Sequence, residues 1–323
     1  MKKKHILPSA MVISLFLLAL FFVPINPGSE NPYFNANLFE RLILNKPVEK
    51  SGQIVMILGG DVMLGRTVMI TSLDKNDPTY PFSQIADPTS SADLFFVNLE
   101  NPLFEGCERD ITGVSLVFCG DSQMVEGLSW AGVDVANLAN NHTLNYGKEG
   151  LEKTKEVLAK VGIGFSGDGF SEVREVSGIK FGFVGFDKSQ QVTPSLDDEE
   201  RALISSSDHE VDVLIVSMHW GVEYQDSALP GVRALAHELV DLGADVIVGH
   251  HPHWVQDIES YNGVPIYYSL GNLIFDQMWS EKTREGLLVK LTFEDNKIVK
   301  EEFIKTYMEE WAQPKLVNFT PSS

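Results

Sequence analysis

From residue 53 onward, short apolar runs alternate with polar stretches. Runs of this length bounded by turn residues predict buried strands. They fall at 53–58 (QIVMIL, stopped by Gly59-Gly60), 94–99 (LFFVNL), 133–138 (VDVANL), 180–186, 211–217 (VDVLIVS) and 244–248. Leu151, Thr154, Val157, Leu158 and Val161 recur at helical spacing, so 148–161 predicts a helix that Gly162 stops. A second helix is predicted over 231–242, after Pro230. Late strands are predicted at 265–270, 286–293 and 297–307, the last two joined by a turn at 294–296. The alternation predicts an α/β domain with a sheet-rich C-terminal third.

The start of the chain has a different pattern. Lys2, Lys3 and Lys4 precede an almost uncharged apolar run from Ile6 to Ile25. That run has about the 20 residues a helix needs to cross a bilayer, and the lysines predict that the chain after it lies outside the cytoplasm. A cleaved signal peptide is the alternative. No small-x-small cleavage site follows the run and no cysteine offers a lipid attachment point, so an uncleaved N-terminal transmembrane helix is expected. The expected organisation is an anchor or signal at 1–25, a stalk at 26–50 with a short amphipathic helix near 38–44, one domain at 51–312 and a tail at 313–323.

Composition narrows the function. Of 323 residues, 44 % are hydrophobic, enough for a packed core. The net charge of −20 repels nucleic acid, which is not an expected partner. An anionic substrate would need a local positive focus, which a bound metal ion supplies. Cys107 and Cys119 are the two cysteines, and outside the cytoplasm they are expected to pair, closing a loop worth about 3 kcal/mol. Two free thiols are the alternative.

The residues with ligand chemistry sit where the predicted strands end. Asp61 follows the first strand on a glycine-rich turn. Asn98 and Glu100 end the second; Asn140, Asn141 and His142 follow the third. His219 follows VDVLIVS, and His250, His251 and His253 follow the strand ending at 248. In open α/β sheets the ligand site lies beyond the carboxyl ends of the strands. Each residue alone has an ordinary reading: Asp61 as a helix cap, Glu100 as solvated, the Asn residues as turn formers, His219 as a core histidine. Three imidazoles in four positions are better explained by metal ligation. An oxygen and imidazole set without thiolate suits one or two ions of Mn, Zn or Fe, and a carboxylate able to bridge suggests a two-metal centre. Rival chemistries are missing: there is no G-x-S-x-G elbow, no phosphate-binding P-loop, and no G-x-G-x-x-G following a predicted strand. A paired-carboxylate glycosidase would leave the histidines unexplained.

The stretches GGDVMLGR (59–66), FFVNLENPL (95–103), VANLANNHTLNYG (135–147), VSMHWGVEY (216–224), VIVGHHPHWVQ (246–256) and YYSLGNLIFDQ (267–277) resemble, in order, those of the bacterial capsule-synthesis protein CapA family. That family is linked to poly-γ-glutamate capsules and belongs to the calcineurin-like metallophosphatase superfamily. The resemblance implies a four-layer α/β/β/α sandwich with metal ligands Asp61, Glu100, Asn141, His219, His251 and His253. It implies His142 as the general acid. Two positions depart from the superfamily pattern: Met63 stands where a histidine is usual, and Glu100 where an Asp bridges. His250 competes with His251, and Asn98 is an additional candidate ligand. Arg66 is a candidate for holding an anionic substrate group, with an ordinary salt bridge as the alternative.

The function expected is metal-dependent hydrolysis of a phosphoester, or of an amide, in a capsule or envelope polymer or its precursor. Membrane synthase subunits are candidate partners. The alternative is a non-catalytic assembly or anchoring factor of a polymer synthase complex.

Overall fold

The computed structural model describes residues 52–167 and 169–317. The expected anchor and stalk lie outside the described residues. No helix among the described residues is long and apolar enough to cross a membrane.

The elements run β1 (Gln53–Val62), α1 (Arg66–Asp74), α2 (Ala86–Ser90), β2 (Leu94–Leu99), α3 (Val125–Trp130), β3 (Val135–Asn137) and α4 (Gly147–Lys160). Next come β4 (Gly164–Ser166), β5 (Glu172–Val176), β6 (Ile179–Asp187), α5 (Asp198–Asp208), β7 (Val213–His219), α6 (Pro230–Asp241) and β8 (Val246–His250). The chain continues through β9 (Ile258–Tyr261), β10 (Val264–Tyr267), β11 (Asn272–Ile274), α7 (Glu281–Arg284), β12 (Glu285–Glu294), β13 (Lys297–Glu310) and β14 (Gln313–Val317). One sheet has the order β14-β13-β12-β1-β2-β3-β4, with β11 also paired to β1; the other has the order β5-β6-β7-β8-β10-β9.

Three apolar cores show how the layers stack. Met56 and Leu58 of β1, Phe96 of β2, Phe181 and Phe183 of β6 and Ile215 of β7 meet between the sheets. Phe96 and Phe183 stack there with centroids 5.6 Å apart. The other face of the first sheet packs on helices through Val68, Leu128, Leu151 and Leu158. The outer face of the second sheet packs on Ile204 of α5 and Leu235 and Leu239 of α6. Helices, sheet, sheet and helices follow in that order. The strands buried on both faces are the ones that read as continuous apolar runs.

Local chemistry sets the ends of these elements. Helix α4 buries Leu151, Thr154 and Leu158 on one face and stops before Gly162, whose φ is +80°. Helix α5 opens with a capping box between Asp197 and Glu200. Strand β1 runs through the glycine pair that was expected to end it, and its register with β2 shifts between Leu58 and Asp61. A Cβ at Gly60 would lie 2.0 Å from the carbonyl oxygen of Gly271, so only glycine admits this approach of β1 and β11. The shift carries Asp61 onto the edge where β2, β3, β6, β7 and β8 also end.

The expected tail at 313–323 is corrected in part. Residues Gln313–Val317 form β14 and pair antiparallel with β13, so the sheet extends past residue 312. Gln313 also donates to the carbonyl of Tyr80 at 3.1 Å.

Candidate metal centre

Two parallel sets of strands end at one edge, and each brings a polar residue that is costly to bury. Asp61, Glu100 and His219 are fully buried, and His253 nearly so. Ligand atoms of Asp61, Glu100 and His253 lie within 4.8 Å of one another. The Oε1 of Glu100 is 3.9 Å from the Nε2 of His142, of His219 and of His253. Three imidazoles from separate loops and strands therefore surround one carboxylate oxygen.

The two carboxylates have opposite surroundings. Asp61 accepts from the Asn98 amide at 2.9 Å and from the His251 backbone N–H at 3.3 Å. Nδ1 of His250 is 3.2 Å and Nδ1 of His253 is 3.3 Å from its oxygens. Burial works to raise the Asp61 carboxyl, but the two imidazoles outweigh it and hold the group well below the usual carboxylate range. Among the described residues, neither oxygen of Glu100 finds a hydrogen-bond partner. Burial, and then the charge of Asp61, push Glu100 well above its usual value.

The imidazoles are sorted by the same forces. Burial opposes charge on His253, yet Glu100 and Asp61 raise it to about 9. Burial lowers His219 and His251, and each is lowered further by a neighbouring imidazole. Burial brings His142 down to about 4. The rings of His219 and His251 are 4.8 Å apart, and among the described residues the Nδ1 of His251 has no hydrogen-bond partner. His251 and His253 hold φ values of +93° and +58°, a left-handed backbone that costs free energy for residues with a Cβ and is common at functional sites.

An asparagine framework fixes the ligands. Asn137 and Asn140 donate to the Oδ1 of Asn98, which turns the Asn98 amide nitrogen toward Asp61. Asn98 is thus a bracket for the carboxylate and not one of its equals. Asn141 Oδ1 lies 2.9 Å from His219 Nε2. Asn272 Oδ1 lies 2.9 Å from His253 Nδ1, and its amide donates to the carbonyl of Thr283 and to Gln277. That orientation leaves His253 Nε2 toward Glu100. Asn145 Oδ1 accepts the Phe118 N–H at 2.6 Å and faces His142 Nδ1 at 3.1 Å. Phe118 stacks on His142 with centroids 4.0 Å apart. Asn145, Phe118 and Asn272 were not singled out from the sequence. The signal for Asn272 was present: an amide ending an apolar stretch, as at Asn98.

Two candidates take other places. Arg66, a candidate for substrate contact, is buried with its fork on the Asp276 carboxylate and its remaining nitrogen on the Ser115 carbonyl at 2.9 Å. Its guanidinium lies 4.6 Å from the Phe118 ring centroid. It ties the 107–119 loop to the chain after β11, and its donors are not free for an anion. His250 lies beside Asp61 but leans on Phe96 of the inter-sheet core at 6.2 Å, while His251 packs among the other imidazoles. Cys107 and Cys119 form a disulfide, which closes the loop that ends at Phe118. Met63 is fully buried, and its sulfur accepts the Gly65 N–H at 3.1 Å.

The residues present fit a divalent ion. A buried glutamate with two orphaned oxygens needs a cation or a proton, and the neighbouring donors are imidazole nitrogen and amide or carboxylate oxygen.

The chain is similar to known proteins over most of its length. The PGA biosynthesis protein CapA of Bacillus subtilis is 31 % identical over 256 residues, which cover 73 % of this chain and 67 % of that protein. The capsule biosynthesis protein CapA of Bacillus anthracis is 29 % identical over 268 residues, covering 76 % and 65 %. The chain thus spans about two thirds of the length of these relatives. A hypothetical protein from Thermus thermophilus shares the fold with a TM-score of 0.52 at 16 % identity, over 78 % of this chain and 98 % of that one. Residues 55–277 match the family model described as bacterial capsule synthesis protein PGA_cap, and they hold every candidate ligand; the chain belongs to that family.

Proposed function

We propose that this edge is the divalent metal centre of a metallophosphatase-like hydrolase that acts on a phosphoester of a capsule, poly-γ-glutamate or other envelope polymer, or of its precursor. The observation that carries the reading is Glu100. It is fully buried, lacks a hydrogen-bond partner on either oxygen among the described residues, and has three imidazole nitrogens at 3.9 Å. Asp61, Glu100 and His253 would hold one ion of Mn, Zn or Fe, and Asn141, His219, His251 and Glu100 would offer donors for a second. When bound, such an ion would supply Lewis-acid activation of a phosphoryl oxygen and of water.

The chain's own residues do the rest. Asn98 and Asn272 fix Asp61 and His253 before substrate arrives. Asn145 accepts from His142 Nδ1, so His142 presents Nε2 to the reacting group. At about 4 its imidazole is neutral in the resting protein. The negative charge of a bound phosphoester raises its proton affinity, and Nε2 then hands the proton to the leaving oxygen. The apolar run at 6–25 anchors the domain outside the cytoplasm beside membrane synthase subunits.

Purified full-length protein with added Mn²⁺ is expected to hydrolyse a generic phosphodiester, and His142→Ala to lose about 10²-fold or more in kcat with its metal content intact. Metal-replete protein without turnover would leave the second reading, an assembly factor. That reading is favoured by Met63, which occupies a ligand position with a sulfur already bonded to Gly65.

A further inference from the structure

Tyr224 and Trp279 form an aromatic corner against the metal centre. The Tyr224 ring stacks on His253 at 6.0 Å, and Trp279 meets Tyr224 at 4.8 Å with an interplanar angle of 83°. Trp279 is 60 % exposed, a large apolar surface left open beside a buried polar site. Tyr224 holds φ at +60° and its N–H donates to Pro252 at 2.9 Å. Backbone strain is retained here to keep the ring next to His253. One hydrogen-bonded chain places both: Asn272 faces His253 at 2.9 Å, donates to Gln277 at 3.1 Å, and Gln277 donates to the Tyr224 hydroxyl at 3.3 Å. Any shift of the corner is therefore felt at the ligand.

We propose that this corner is a saccharide subsite, which seats the neutral pyranose ring of a substrate whose phosphoester lies at the Glu100 centre. The proposal deepens the metal-centre reading and rests on it. Aromatic faces are electron-rich and attract the C–H edges of a sugar ring, while the hydroxyls stay wet. A right-angled corner covers a ring on one face and one edge; a nucleobase would call for parallel faces. The charges near the corner argue against an anionic unit. The Lys282 ammonium is paired with Asp226 and sits 4.4 Å from the Trp254 ring centroid. Arg66 is paired with Asp276, and the chain carries −20 overall. A glutamyl segment would meet cations that are already engaged, whereas a neutral ring needs none.

The test is calorimetric titration of the metal-loaded full chain with chitotriose, cellotriose and a γ-linked glutamate pentamer. A neutral trisaccharide is expected to bind in the millimolar range, and Trp279→Ala and Tyr224→Ala to weaken it by about tenfold or more. Trp311→Ala removes an exposed tryptophan that follows β13, outside the Tyr224–Trp279 pair, and is expected to bind as the parent does. The proposal is overturned if neither saccharide binds, if Trp279→Ala binds equally well, or if only the glutamate pentamer depends on Trp279. Metal content measured on the same samples separates the two readings. Metal-loaded protein without saccharide binding removes the subsite alone. Saccharide binding by protein that takes up no metal keeps the subsite and removes the centre.

Discussion

Asp61 and Glu100 end neighbouring strands and are equally buried, yet their surroundings differ. Asp61 is held by an amide, a backbone N–H and two imidazoles, so the folded protein supports its charge unaided. Glu100 has no such partners. The difference teaches which half of the edge the fold builds for itself and which half it leaves for a ligand. A protein does not keep an unpartnered buried carboxylate for stability, because the desolvation cost is large. Asp61 is a built socket, and Glu100 is the group that waits for charge.

The largest test of that contrast is Asp61→Ala. It strands the Asn98 amide and the paired imidazoles, and is expected to cost about 3–5 kcal/mol with or without metal. Equilibrium denaturation in chelator and in Mn²⁺ measures it; a loss of that size in chelator supports the socket, a larger loss in Mn²⁺ adds the ion that Asp61 would help to hold, and loss confined to the metal-loaded protein breaks the comparison.

Next is the loop that carries Phe118 to the Glu100 half. Cys107→Ser with Cys119→Ser is expected to lower stability by about 3 kcal/mol and to reduce turnover through a displaced His142. Metal content should hold, because no ligand rides on that loop. Loss of metal in the double variant would show that the two halves are not separable.

A third effect is pH. His253 lies near 9 in the folded protein against 6.5 as a free side chain, so its contribution is fully present below 6.5 and disappears as pH rises through 9. Glu100, also raised, acts in the same sense, its contribution disappearing as pH rises through its raised folded-state value. Metal-free protein should therefore lose stability on the order of 3 kcal/mol between those limits. Metal-loaded protein should lose less, since a ligating imidazole has already given up its proton. Thermal melts across that range read the difference.

The smallest effect has the opposite sign. Glu100→Gln removes a costly buried charge, and the metal-free protein is expected to gain about 1–2 kcal/mol.

Much of this edge was legible because its residues violate a rule. Asp61, Glu100, His219 and the 250–253 histidines end runs that are otherwise wholly apolar, and burial of such groups is explained only by pairing or ligation. What the sequence hid was the division of labour. Asn98 looked like a ligand and proved to be a bracket, because its role depends on Asn137 and Asn140 reaching it across strands. Arg66 looked available until Asp276, 210 residues later, was folded onto it. The strands β5 and β9 escaped because edge strands are half exposed and carry no apolar run: Glu172–Val176 is nowhere buried. Helix α5 was readable from Asp197 and Glu200, a cap and its reciprocal partner, but was passed over for lack of an apolar stripe.

The account stands most directly on the metal content of Glu100→Gln. Elemental analysis of the purified full-length variant, beside the parent after equal exposure to Mn²⁺, is the measurement. The variant is expected to fold, to be at least as stable as the parent in chelator, and to retain little or no metal. A variant that binds as much metal as the parent would contradict it.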